Sequence, residues 1–239
     1  MRKQLLYVCP LLLVAASAWG STCANTSLAN YTASGFSCTL DGLTFSNFTY
    51  FANPTTGLPT AASISVNPVN SSGTVGFDFG GPFISLAGTS TDALLSYNIS
   101  ADAGELMTAD SVTLLSAAAS GTNAVAEVAE GVCAGTQNAN GSCNGNNFSL
   151  SASVPGSNSQ TVTLGSGVSF QTVVKNIITQ GATTGTGNAA ISLFENVTTV
   201  SGGGGSPGGG TTPEPTSMLS LGSGLVITSM LLRRKLRKS

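Results

Sequence analysis

The sequence predicts an all-β body. It reads as a single two-sheet sandwich or jelly-roll-like domain over residues 21–200, between an N-terminal signal peptide and a C-terminal single transmembrane helix. Three observations carry the prediction. Apolar residues recur at every second position in short runs, which is the period of a half-buried strand. Gly, Pro, Asn and Ser separate the runs. No fixed-length period repeats, which excludes a solenoid.

Taken in order, Leu43 and Phe45 share one parity and Phe48 and Tyr50 the other. A β-bulge near Ser46-Asn47 would reconcile them. Val75, Phe77 and Phe79 alternate with Thr74, Gly76 and Asp78. Leu95, Tyr97 and Ile99 follow, then Val112 with Leu114. Residues 124–132 fit a strand, although Val125, Val128, Ala129 and Val132 also satisfy helical spacing; strand is preferred. Phe148, Leu150, Ala152 and Val154 alternate, as do Val162 with Leu164, Val168 with Phe170, and Ile191 with Leu193. Such short strands at regular spacing suit a sandwich or jelly roll.

Four cysteines lie in the body: Cys23, Cys38, Cys133 and Cys143. An even number in an exported chain points to disulfides. Local pairing, Cys23 with Cys38 and Cys133 with Cys143, closes the shortest loops at the least entropic cost. A four-cysteine metal site would need Cys-x-x-Cys pairs, and there are none, so neither a metal nor a cofactor is expected.

The charge distribution is uneven. The chain has 8 Lys+Arg, 10 Asp+Glu and no histidine, so triads and sites built on imidazole are excluded. Between residues 21 and 212 the only cation is Lys175, set against nine acids, a net charge of about −8 at neutral pH. Such a body does not suit nucleic acid. The remaining cations cluster at the two ends.

At the N-terminus, Arg2 and Lys3 precede an apolar run from Leu5 to Ala15 and then small residues. This is the layout of a secretory signal peptide over residues 1–20. It implies a Sec translocon and a signal peptidase as partners, with cleavage after Gly20 or after Ala18.

At the C-terminus, a Gly-rich linker at 201–212 reads as a flexible tether. It leads into Pro213-Glu214-Pro215, then an apolar stretch at 217–232, then Arg233, Arg234, Lys235, Arg237 and Lys238. At 1.5 Å per residue the stretch reaches roughly 24 Å, enough to cross a bilayer with local thinning. The basic cluster would hold its end in the cytoplasm. Pro213 and Pro215 would keep the preceding segment extended, outside the membrane.

In that order, Pro-Glu-Pro tripeptide, apolar helix and basic cluster, the segment 213–239 resembles the PEP-CTERM sorting signal of bacterial exosortase substrates. The same tail is also catalogued as an ice-binding protein C-terminal domain. The resemblance implies processing by an exosortase-type enzyme around Pro213, Glu214 and Pro215, followed by release to the cell surface or extracellular matrix. It also implies a link to exopolysaccharide.

Catalytic candidates are sparse. Asp102, Glu105 and Asp110 could supply oxygens to Ca²⁺, although an exposed acidic loop is the simpler reading. Glu127 and Glu130 are the pair a carboxylate hydrolase would need. Lys175 alternates with apolar Val174 and Ile178, which suggests a snorkelling or salt-bridging lysine. Asn-x-Ser/Thr triplets begin at Asn25, Asn30, Asn47, Asn70, Asn98, Asn140, Asn147 and Asn196, and read as a hydroxyl- and amide-rich solvated face. The sequence therefore points to an exported, membrane-tethered surface or biofilm-matrix protein with a structural or interaction role, not an enzyme. A carbohydrate-, Ca²⁺- or ice-binding sandwich is the second reading and a hydrolase the third.

Overall fold

A computed structural model describes residues 21–52, 57–138 and 141–201. The signal peptide with Ala18 and Gly20, the linker beyond Ser201, the Pro213-Glu214-Pro215 motif, the 217–232 span and the basic cluster lie outside the described residues.

The body is built from strands, as the alternation predicts. In chain order these are β1 (Ser21–Thr22), β2 (Thr26–Ser27), β3 (Ser37–Leu40), β4 (Leu43–Ala52), β5 (Ser65–Ser71), β6 (Thr74–Ser85) and β7 (Ser90–Ala101). They continue with β8 (Leu106–Ala119), β9 (Val125–Ala134), β10 (Asn146–Val154), β11 (Ser159–Val168), β12 (Phe170–Gln180) and β13 (Ala189–Ser201). Residues 125–134 are a strand, which settles the ambiguous segment. A four-residue helix, α1 (Leu28–Tyr31), and one 3-10 turn are the helical elements among the described residues.

The strands form two sheets. One has seven strands in the order β1-β3-β4-β7-β12-β9-β10, the other six in the order β11-β8-β13-β6-β5-β2. From β6 onward the chain passes to the other sheet at nearly every connection; the β9–β10 hairpin is the exception. Residues close in sequence therefore face one another across the core, the arrangement of a β-sandwich.

The expected bulge is present. Register jumps between Ser46 and Thr49, Asn47 adopts φ 55°, and Leu43, Phe45 and Phe48 all reach the core. A second irregularity was not anticipated. The register of β13 shifts between Ile191 and Leu193, so Phe194 rather than Leu193 follows Ile191 into the core.

An aromatic cluster fills one part of the interior. Phe77 lies 4.6 Å from Phe45, 5.5 Å from Tyr31 and 5.8 Å from Phe48 between ring centroids, while Phe79 stacks on Phe194 at 5.2 Å. Pairs of this kind add about 0.5–1.5 kcal/mol each beyond burial of their area.

Both predicted disulfides form, Cys23–Cys38 and Cys133–Cys143. The first ties β1 against β3, where the two short strands run parallel. The second closes the connection between β9 and β10.

Candidate functional site

The most unusual chemistry of the body lies between the sheets. Five polar or charged side chains in the core come from three strands: Asp110 on β8, Gln171 and Lys175 on β12, and Asn196 and Thr198 on β13. Glu130 on β9 joins them at 3% exposure, and the Tyr97 hydroxyl enters from β7. Strand register sets the arrangement. Lys175 sits directly opposite Glu130 on the neighbouring strand of the larger sheet. Asp110 sits opposite Thr198 in the smaller one.

The groups bond one another closely, although Gln171 Oε1 is buried with no hydrogen-bond partner among the described residues. Lys175 Nζ is ion-paired with Glu130 Oε2. Asp110 accepts from Gln171 Nε2 at 2.7 Å, Thr198 Oγ1 at 2.9 Å and Asn196 Nδ2 at 2.7 Å. Asn196 Nδ2 also faces Ser111 O at 2.8 Å and Glu130 Oε1 at 3.2 Å, and Tyr97 Oη donates to Asn196 Oδ1. The Asn196 carboxamide touches both carboxyl groups and so bridges the sheets, as Gln171 does through Asp110.

Two carboxyl groups and one ammonium in the core leave an unbalanced negative charge if all are ionised. Burial raises the Glu130 carboxyl well above the usual carboxylate range. Lys175 opposes that rise and the neighbouring Asp110 adds to it. Burial also raises the Tyr97 phenol, with help from Glu130 and Asp110, so it stays a hydrogen-bond donor.

Several expectations are corrected here. Of the two readings of Lys175, the structure has the salt bridge and not the snorkelling side chain. Lys175 points inward with Val173 and Ile177, while Val174 and Ile178 take the outer face, and the salt bridge to Glu130 is what makes this burial tolerable. Glu127 and Glu130 are three residues apart on one strand and face opposite sides. Glu127 accepts a hydrogen bond from Ser151 Oγ on the outer face, so β9 does not bring the two into a hydrolytic pair. The Ca²⁺ candidates are also separated. Asp102 and Glu105 share the turn between β7 and β8 with a Glu105 N–H to Asp102 O bond of 3.1 Å, whereas Asp110 is sealed in the core. No group of three metal-ligating side chains occurs among the described residues. The Asn196 triplet is buried at both Asn196 and Thr198 and does not belong to the solvated face.

Asn196, Thr198, Gln171 and Tyr97 were not read from the sequence as site residues. The signal the sequence offers is Lys175, the one cation between residues 21 and 212.

A second feature lies on the outer face of the larger sheet. A shallow depression of about 520 Å³ is lined by Ala129, Gly131, Ser149, Ser151, Val174 and Asn176, with Gln160 reaching in from β11. Asn176 Oδ1 is buried without a hydrogen-bond partner among the described residues. A row of paired positions runs across the sheet from Phe51 to Leu94, Asn176, Ala129 and Ser151. Phe51 is 66% exposed and Leu94 45%.

The class of protein that fold and core define is a disulfide-linked β-sandwich. No known protein family and no curated protein matches the sequence. Among solved structures, the chain is similar to the carbohydrate-binding module TmCBM61 in complex with β-1,4-galactotriose, at 12% identity and a TM-score of 0.29, covering 63% of this chain and 88% of that one. It is also similar to the enzymatically active domain of bacteriophage CBA120 tailspike protein 4, at 8% identity and a TM-score of 0.23, covering 66% of this chain and 19% of that one. Likenesses this low say nothing about function.

Proposed function

We propose that the chain is an exported surface protein of an extracellular matrix, tethered through its C-terminal segment and processed there by an exosortase-type enzyme, with the sandwich as a structural or interaction body. The observation that carries this reading is the ordered tail: a Gly-rich linker, then Pro213-Glu214-Pro215, then an apolar span and five basic residues. The body agrees with it. Disulfides suit an oxidising compartment. The side chains of Glu130, Asp110 and Lys175 are buried and engaged with core partners. The test replaces Pro213, Glu214 and Pro215 together with alanine and follows the protein by cell fractionation. On this reading the variant accumulates at the membrane while the parent chain reaches the surface or medium; identical distributions would reject it.

A second reading, carbohydrate binding, is favoured by the outer-face row. It combines an exposed aromatic ring with a shallow hydroxyl-lined depression that Asn176 borders, and two strand spacings of about 4.8 Å separate Phe51 from Asn176. Phe51→Ala and Asn176→Ala should each weaken binding to matrix polysaccharide in calorimetric titration. No binding by the parent chain would remove this reading.

A further inference from the structure

We propose that Lys175 and Asn196 form an intramolecular isopeptide bond that covalently ties the two sheets together. The reaction is amide exchange. The Lys175 amine attacks Asn196 Cγ, a new C–N bond forms, the Cγ–Nδ2 bond breaks, and one molecule of ammonia leaves.

The arrangement supplies the proton carrier, the oxyanion donor and the acids for the leaving group that such a step needs. Lys175 Nζ and Asn196 Nδ2 contact the two oxygens of a single carboxyl group, Glu130, so amine and carboxamide are held together on one proton carrier. Such positioning turns a sluggish bimolecular reaction into an intramolecular one. Glu130 Oε2 takes the proton that makes the amine a nucleophile. The Tyr97 hydroxyl already donates to Asn196 Oδ1, the oxygen on which negative charge develops in the tetrahedral intermediate. The leaving Nδ2 lies 2.7 Å from Asp110 Oδ1 and 3.2 Å from Glu130 Oε1, so protonated Glu130 returns a proton to it as the C–N bond breaks. Glu130 ends as the carboxylate it began as, and the protons balance: of the three ammonium hydrogens one stays as the new amide N–H, and the other two leave with the departing nitrogen, which goes as ammonium.

Asn196 is favoured over the two carboxyl groups as the electrophile. Its carbonyl has a hydroxyl donor in place and its leaving group faces two acids, whereas an ionised carboxylate is a poor acyl donor. Burial of both groups also keeps bulk water from competing as a nucleophile. Lys175 is fully buried, and Asn196 is 1% exposed.

The bond would join β12, inside the larger sheet, to β13, the last strand of the body. On the tethered reading above, force arriving through the C-terminal linker reaches β13 first, so this is the strand a covalent tie would best protect. The bond itself does not depend on that reading.

The sequence provides a sensitive test. Lys175 is the only lysine or arginine between Lys3 and Arg233, so trypsin has one internal site in the denatured body. The full chain is denatured, reduced, alkylated, digested and weighed, whether or not its ends have been processed. The proposal expects no cleavage at Lys175 and a mass lower than the sequence by one ammonia. Lys175→Arg should restore both cleavage and full mass, and Glu130→Gln should leave the bond unformed. Cleavage at Lys175 in the parent chain with unshifted mass would overturn the proposal. So would an uncut chain lighter by one water, which would place the bond on Glu130 or Asp110. The parent-chain result decides the matter even if a variant fails to fold.

Discussion

Replacing Lys175 with methionine would remove the cation that faces Glu130 while keeping a side chain of similar length. Glu130 and Asp110 would remain in the core, 3% and 0% exposed, with no counter-charge in contact. Breaking a buried pair from one side costs about 3–5 kcal/mol, because the remaining charge stays desolvated. With a urea m-value of about 2 kcal/mol/M, the midpoint should fall by roughly 2 M. Where the Lys175–Asn196 bond has formed, the loss is that of the covalent tie in place of the ion pair. The pH dependence has a definite sign. Glu130 titrates higher in the folded chain than in the unfolded one. Its contribution to stability is therefore largest below the unfolded carboxylate range, near pH 4.3, and is lost as pH rises toward the folded value. Lys175 restrains that rise, so the methionine variant should show the steeper loss. Urea unfolding followed by far-UV circular dichroism at pH 5 and pH 8 measures both effects. A companion Lys175→Met, Glu130→Gln variant should recover part of the loss at pH 8. The reasoning fails if Lys175→Met matches the parent chain within about 0.5 kcal/mol at pH 8, the range of a neutral surface change. It also fails if that variant is more stable at pH 8 than at pH 5.

Other parts of the structure make separate predictions. Phe77→Ala should destabilise by about 3–5 kcal/mol, since it opens a cavity among Tyr31, Phe45 and Phe48; a loss under ~1 kcal/mol in denaturant titration would mean the cluster is not packed as described. Replacing Cys133 and Cys143 together with serine should cost about 2–4 kcal/mol, as should replacing Cys23 and Cys38, and an unchanged melting midpoint would argue against either bridge. Burial pushes Tyr31 and Tyr50 up to about 12 from 10.0. Raised phenols make stability fall as pH climbs from about 10 toward 12. Alkaline melts read by circular dichroism should show this decline, weakened in Tyr50→Phe.

The strands were legible because burial on one face writes a period of two into the chain. The parity change between Phe45 and Phe48 even located the bulge at Asn47. Short loop separations likewise pointed to both disulfides. The buried cluster was not legible, for a physical reason. Its members lie on five strands in two sheets, and register, which single-strand patterns do not encode, brings Lys175 opposite Glu130 and Asp110 opposite Thr198. Parity also misled at β12. With Val174 and Ile178 apolar, the polar Lys175 looked outward-facing, yet Val173 and Ile177 share its side and face the core. Asn196 was disguised as one of many Asn-x-Thr triplets, a pattern that Ser/Thr-rich strands generate on either face.

Export and processing are tested most directly at the two ends of the mature protein. Mass spectrometry of the protein recovered from the cell surface should find an N-terminus just after Ala18 or Gly20 and a C-terminus near Pro213-Glu214-Pro215, without the apolar span. A surface protein that still ends at Ser239 would contradict processing, and one that retains Met1 would contradict export through a cleaved signal.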